Sequence, residues 1–232
     1  MPTSSTYGLR WPRWMTAVLC VYIILALVYS VSTPIFEPPD EVTHFPVIDY
    51  IADKRRLPEQ DLDHPGPWEQ EGSQPPLYYL LSVPLVLPID RNALADRQER
   101  NPHAQIGIGL AQDNHVSVLH DWDAEAFPWQ RTALAVHVVR GFSILLSVGT
   151  IICVYHLARL ALPGQSTLHR AAVLLTAFNP MFLFISASIN NDNLINLLST
   201  ATMALLLFIW REGLAIRRLW TLALLLALAA IS

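Results

Sequence analysis

The sequence predicts an all-α polytopic membrane protein, and three observations support this fold class. The 232 residues are 53% hydrophobic and only 15% charged, with a mean hydropathy of +0.35, a balance typical of membrane proteins. Several uncharged runs of about 17 residues reach the lower end of the length that crosses ~30 Å of hydrocarbon as a helix. The charges are also segregated, since 17 of the 19 acidic residues lie between Pro34 and Gln130. An acidic block with basic, apolar flanks argues against a nucleic-acid partner.

The first membrane span is predicted at residues 15–33, after a cytoplasmic N-terminal segment at residues 1–14. The run "MTAVLCVYIILALVYSV" carries no charge, and Arg10 and Arg13 precede it. A cleaved signal peptide is the alternative, because small residues follow the run. The run exceeds the ~7–15 apolar residues of a signal peptide, so a retained span is favoured.

Residues 34–130 are predicted to form a large loop that carries two interfacial helices. The first helix covers about residues 41–56, where apolar side chains recur at helical spacing and Pro46 marks a helix start or a kink. The second covers about residues 75–89. Its apolar part is interrupted by prolines and is too short to span a membrane, which is typical of an interfacial or re-entrant helix.

Further apolar runs complete the predicted architecture of four full spans and a partial fifth. The three full spans that follow the loop cover residues 131–161, 168–187 and 192–211, and the partial span covers residues 217–232. The last apolar run, at residues 219–231, is shorter than a membrane span. We therefore expect the chain to be the N-terminal part of a larger membrane protein.

Basic residues near the span ends predict the orientation of the protein in the membrane. With Arg10 and Arg13 in the cytoplasm, the alternation of spans places a second basic group on the same side. This group consists of Arg159, Arg170, Arg211, Arg217 and Arg218. The loop at residues 34–130 and the "NND" turn at residues 190–192 then lie outside. The sequence thus predicts a multi-pass plasma-membrane protein with a large extracytoplasmic loop.

Carboxylates at this outer surface are the candidate catalytic groups. Asp40 and Glu41 follow two prolines directly after the first span, and Asp192 lies in the turn between the third and fourth spans. Alone, "PPDE" is compatible with an ordinary helix N-terminus, and "NNDN" with an ordinary turn. Together they place acids at one membrane face, where two carboxylates can activate a hydroxyl as general base or hold a metal ion.

Four segments carry a resemblance to a known enzyme class. They are "TPIFEPPDEVTHF", "QPPLYYLL", "VVRGFS" and "NPMFLFISASINNDN". In this order and placement they resemble the GT-C class of membrane glycosyltransferases, and within it glycosyltransferase family 39, which includes protein O-mannosyltransferases. The resemblance extends from about Arg10 to Arg211, and "PPDE" and the "ND" turn are its most specific parts.

The resemblance implies an inverting transfer of a hexose-like sugar from a polyprenyl-phosphate donor. The acceptor would be a protein, a lipid or a glycan on the extracytoplasmic face. The resemblance implies that Asp40 is the general base, with Glu41 as second choice. It also implies that Asp192 orients the acceptor or the base, with Asn191 as an adjoining substrate-binding residue.

Other residues are candidates for binding the lipid-linked donor. Arg140 lies at the outer end of the second span, and its guanidinium suits phosphate oxygens; snorkelling, or pairing with an acid of the loop, is the alternative. His137 lies one turn earlier and can join it. Tyr78 and Tyr79 can contact a prenyl chain, although packing of their helix against the spans is favoured.

A divalent metal ion is the one cofactor considered, with Asp40, Glu41 and His44 as its ligands. His44 is four residues after Asp40, so the two side chains can meet on a helix. A function of another class is also open: a permease, scaffold or inactive relative that binds an envelope partner through the acidic loop. A permease predicts acids along the spans, which here contain almost none.

Overall fold

The structure, a computed structural model, describes residues 11–61, 63–92, 94, 98–104 and 115–232. These residues form helices and no strand, apart from an isolated antiparallel bridge between Arg100 and Val118. The all-α class is therefore confirmed for the described part of the chain. Most of the predicted cytoplasmic segment at residues 1–14, including Arg10, lies outside the described residues.

The described residues form nine α-helices and one short 3-10 helix. They are α1 (Arg13–Ser32), α2 (Glu41–Lys54), a 3-10 helix (Glu69–Ser73), α3 (Leu77–Val86), α4 (Trp122–Glu125), α5 (Arg131–Ala161), α6 (Ser166–Ala177), α7 (Pro180–Ser186), α8 (Asp192–Glu212) and α9 (Ile216–Ala230). Of these, the 3-10 helix and α4 were not predicted. Among the described residues, α1, α5 and α8 are long and apolar enough to cross a membrane, judged by length and composition alone. This finding agrees with a membrane protein.

The predicted third span, residues 168–187, is not one straight helix. α6 and α7 meet at a bend of 56°, because a new helix begins inside the apolar run. The Asn179 side chain accepts hydrogen bonds from the backbone N–H groups of Met181 and Phe182, and Pro180 occupies the first turn of α7. The number of candidate spans among the described residues is therefore three, or four if α6 and α7 together are taken as one bent span.

α5 is the central helix, and it contacts α1, α3, α6, α7 and α8. One hydrophobic cluster joins α2, α3, α5 and α8 around Phe45, Tyr79 and Val139. A second cluster joins α1, α5, α6 and α7 around Tyr22 and Ile151. The first cluster fixes the start of α2 against α5 and α8, which determines the position of the acids at residues 40 and 41.

Pro46 lies inside α2 and does not begin it. Because proline has no N–H group, the Val42 carbonyl loses the partner that a helix would give it. The side-chain amide of Gln98 donates a hydrogen bond to that carbonyl at 2.6 Å. A residue 56 positions away thus stabilises a proline-containing helix.

The Gln98→Ala variant should lose about 1–2 kcal/mol of the free energy of unfolding, because the buried Val42 carbonyl loses this donor. In a Pro46→Ala background, residue 46 supplies its own N–H, and the same change should cost close to nothing. Denaturant titration of the four proteins in detergent micelles measures both effects. Equal losses in the two backgrounds would contradict this account of α2.

Candidate active site

A fully buried ion pair between Glu41 and Arg140 lies at the centre of the predicted site. Both side chains are 0% exposed. Arg140 donates from Nη2 to Glu41 Oε1 at 2.6 Å and from Nε to Oε2 at 3.0 Å. Its other contacts are the carbonyls of Ser30, Thr33 and Pro34, at 2.5, 2.8 and 2.9 Å. Arg140 therefore caps the C-terminal end of α1, where helix carbonyls lack partners and a cation is favoured.

The Glu41 carboxylate also joins two distant backbone segments. Its oxygens accept hydrogen bonds from the N–H groups of Phe36 and Ile189, both at 2.9 Å. Ile189 directly precedes the "NND" turn and is 148 residues from Glu41 in the chain. Since Asp40 adjoins Glu41 and Asp192 soon follows Ile189, this bond connects the two acid-bearing motifs.

Asp40 is exposed, and its carboxylate has no hydrogen bond or ion pair with any residue that the structure describes. Its backbone adopts a left-handed conformation, with φ 59°, which aspartate tolerates better than most residues. The Asp40 carbonyl accepts hydrogen bonds from the N–H groups of Thr43 and His44 at 2.9 and 2.8 Å. A free carboxylate thus extends from a well-anchored backbone, and strained conformations of this kind concentrate at functional sites.

A cavity of about 390 Å³ opens beside Asp40 and contains residues that sequence reasoning missed. Its lining includes Phe36, Glu69, Gln70, Arg100 and His115. The Arg100 side chain is 53% exposed and pairs with Glu69 at 3.2 Å. Exposed pairs of this kind contribute little stability. The Arg100 guanidinium is therefore free to exchange this partner for an anionic ligand.

Glu71, in the 3-10 helix, is a third carboxylate of the site, and it was also missed. It is 5% exposed. Burial raises its pKa, and the negative charges of Asp40 and Asp192 raise it further, while hydrogen bonds from Gln70 and Gln74 oppose the shift. Charges act on a pKa mainly over short distances. Asp40 and Asp192 therefore lie near enough to Glu71 for their charges to act on its carboxyl group.

His44 and Tyr79 form a buried polar contact next to Glu71. His44 Nδ1 lies 2.8 Å from the Tyr79 hydroxyl and 3.7 Å from Glu71 Oε2. Burial lowers the pKa of His44 to about 4, against the opposing charge of Glu41. Near pH 7 the imidazole is therefore neutral, and its approach to Glu71 is not an ion pair. Burial, together with the Glu71 charge, raises the pKa of the Tyr79 hydroxyl, which stays protonated.

Several residues that were predicted to bind the donor are instead buried and engaged within the protein. Arg140 has all of its donors engaged within the protein, so it has none left for a lipid phosphate. Tyr78 and Tyr79 are 0% exposed, and the Tyr78 hydroxyl hydrogen-bonds to Ser143 Oγ at 2.7 Å. Neither tyrosine is placed to contact a prenyl chain at the surface. Packing of their helix, the favoured alternative, agrees with this burial.

The other residues predicted for the site lie in four different environments. Glu41, the second choice for the base, is buried against Arg140 and holds the site together. Asn191 precedes α8 and is half-buried, and its carbonyl accepts hydrogen bonds from two backbone N–H groups of that helix. His137 stacks on Trp129, with ring centroids 3.8 Å apart, beside a different pocket. Asp192 is exposed at the start of α8.

The proposed metal ligands do not form a set. The Glu41 oxygens contact Arg140, and the His44 ring contacts Tyr79, so neither side chain turns toward a shared ion with Asp40. Within the described ranges, no group of three His, Cys, Asp or Glu side chains is arranged to hold a metal ion.

The pKa of Glu71 predicts a pH-dependent stability. Since its folded-state pKa lies above the ordinary 4.5, the unfolded chain releases its proton first as the pH rises. Stability from this group is complete below the ordinary pKa and falls as the pH rises toward the raised value. Glu71→Gln should therefore match the wild type below about pH 4 and exceed it at neutral pH. Thermal unfolding in detergent across this range measures the difference, and parallel pH profiles would contradict it.

The chain matches no model of a known protein family, no curated protein and no solved structure. The resemblance to glycosyltransferase family 39 therefore rests on the four sequence segments alone, of which "PPDE" and the "ND" turn are the most specific.

Proposed function

We propose that this protein is a membrane glycosyltransferase that moves a sugar from a polyprenyl-phosphate donor to a hydroxyl acceptor, with inversion. One observation carries the proposal. Asp40 presents an unpaired carboxylate to an open cavity, from a backbone fixed by the Glu41–Arg140 pair, within an acidic site that also contains Glu71 and Asp192.

Asp40 is the proposed general base. As the acceptor oxygen attacks the anomeric carbon, its proton passes to the Asp40 carboxylate. The bond from the anomeric carbon to the phosphate oxygen breaks on the opposite face of the sugar, and its electron pair leaves with the lipid phosphate, which inverts the configuration. Asp192 is proposed to orient the acceptor hydroxyl.

The leaving phosphate needs a cation, and Arg100 suits this role better than Arg140. Arg100 lines the cavity that contains Asp40 and is half-exposed, whereas Arg140 is sealed inside the protein. A guanidinium binds phosphate oxygens in a bidentate manner. His115, which is exposed and lines the same cavity, offers a further hydrogen-bond donor.

A lipid-linked donor requires a site near the membrane surface. Arg140 contacts the carbonyls at the end of α1, a helix long enough to span a membrane. Asp40, next to the Arg140 partner Glu41, thus lies close to that helix end. We propose that this end faces the extracytoplasmic side of the plasma membrane, with the N-terminus in the cytoplasm.

The test is a transfer assay on membranes from cells that express the protein. Labelled polyprenyl-phosphate sugars are supplied in turn, and the labelled product is identified as protein, lipid or glycan. Transfer that exceeds the level in membranes lacking the protein is the expected result. Absence of transfer with every donor would favour the alternative, a non-catalytic protein that binds an envelope partner.

A further inference from the structure

A second, smaller pocket lies apart from the Asp40 cavity, between the end of α1, α4 and the start of α5. It has a volume of about 240 Å³. Its walls include Val31, Thr33, Trp122, Glu125, Trp129 and His137. The proposed glycosyl transfer uses none of these side chains.

Two residues that line this pocket each carry a polar atom that is buried without a hydrogen-bond partner among the residues that the structure describes. The two atoms are Glu125 Oε1 and His137 Nδ1. The Glu125 side chain is only 7% exposed. Burial of polar atoms without a partner is costly and rare in folded proteins. Both atoms therefore lack a hydrogen bond that a bound ligand can supply.

The surroundings of Glu125 contain more carboxylates than cationic groups, which favours a bound cation. The His120 ring lies between two carboxylates, with Nδ1 2.8 Å from Glu125 Oε2 and Nε2 3.0 Å from Glu37 Oε1. Even a fully protonated His120 neutralises only one of these two acids. A negative charge therefore remains next to the pocket, which Glu125 lines.

Aromatic rings lie in and beside the pocket. Trp129 stacks on His137, and Trp122 stacks on His120 with ring centroids 4.7 Å apart. Trp122 and Phe127 are 62% and 78% exposed. Tryptophan faces attract cations, and exposed aromatic residues at the end of a membrane helix are typical of the headgroup region.

We propose that this pocket binds the primary ammonium group of a phospholipid headgroup of the phosphatidylethanolamine type. A primary ammonium has three N–H donors, so one group offers a donor for Glu125 Oε1 and another for His137 Nδ1. A quaternary ammonium has no N–H group and leaves both atoms unpaired. The position at the end of α1 favours a lipid over a soluble amine.

The experiment measures lipid binding to the purified full chain in detergent by native mass spectrometry. The probes are phosphatidylethanolamine, its mono- and dimethyl derivatives and phosphatidylcholine, which differ only in the number of N–H donors. Phosphatidylethanolamine should bind about tenfold more tightly than phosphatidylcholine, with stepwise loss along the series. Equal binding of all four lipids would overturn the proposal.

Two variants test the named atoms. Glu125→Gln removes the charge, and His137→Phe keeps the ring stacked on Trp129 but removes Nδ1. Each should reduce the preference for phosphatidylethanolamine from about tenfold to about threefold, because each removes one of the two hydrogen-bond acceptors, whereas the exposed Glu59→Gln control should leave it unchanged. His137→Phe carries the test if Glu125→Gln fails to fold. An unchanged preference in a folded variant overturns the proposal. Glycerophosphoethanolamine has the same headgroup without acyl chains, and equally strong competition by it would show that the pocket does not select a lipid, which also overturns the proposal.

Discussion

Glu41→Gln should lower the free energy of unfolding by about 3–5 kcal/mol, because it leaves a buried guanidinium without a counter-charge. Both oxygens of Glu41 accept hydrogen bonds, from Arg140, Phe36 and Ile189. Glutamine replaces one of these oxygens with an NH₂ group, which cannot accept them. At least one of these donors must therefore lose its partner. Chemical unfolding in mixed micelles, followed by circular dichroism, measures the loss.

Glu59→Gln is the matched control for this prediction. Glu59 pairs with Arg56 at 3.2 Å, but the two side chains are 79% and 62% exposed. Solvent screening makes such pairs worth about 0–1 kcal/mol. Similar losses in the Glu41 and Glu59 variants would show that the buried pair does not hold the site together.

Asp40→Asn should reduce the proposed sugar transfer about 10²–10⁴-fold while leaving the fold intact, because it removes the general base. Asparagine also tolerates the left-handed conformation that residue 40 adopts. The Asp40 carboxylate has no partner among the described residues, so its loss should hardly change stability. Initial rates of label transfer and thermal unfolding of the same preparation measure the two effects.

Two further variants serve as comparisons for the Asp40→Asn result. Asp192→Asn should lower the rate by about tenfold, the smaller effect expected of a group that orients the acceptor. Asp63→Asn, an exposed acid of the same loop, should leave the rate unchanged. Full transfer by Asp40→Asn would exclude Asp40 as the base even if the protein is a transferase.

The helix positions could be read from the sequence because they depend on local patterns. α5 covers Arg131–Ala161, the predicted segment, because a long apolar run there is bounded by a charged start and Pro163-Gly164. The bend between α6 and α7 also has a local signal, the Asn179-Pro180 start of a helix. The continuous apolar character of the run concealed it.

The roles of the two neighbouring acids could not be read from the sequence. Asp40 precedes α2 in a left-handed conformation and is exposed, whereas Glu41 begins the helix and is buried. Which of the two acids is buried depends on Arg140, 99 residues away from Glu41 in the chain. Glu71 was missed for a similar reason, since its neighbours in the acidic site come from distant segments and "EQEGS" has no distinctive spacing.

Cysteine cross-linking measures whether Asp40 and Asp192 belong to one site. Cysteines replace both acids in a chain whose native Cys20 and Cys153 are changed to serine, and a short bismaleimide is added. The control pair combines residue 40 with residue 212, at the far end of α8, about 30 Å from residue 192. Rapid intramolecular cross-linking of the 40–192 pair alone is the predicted result. Cross-linking no faster than in the control pair would contradict a shared site.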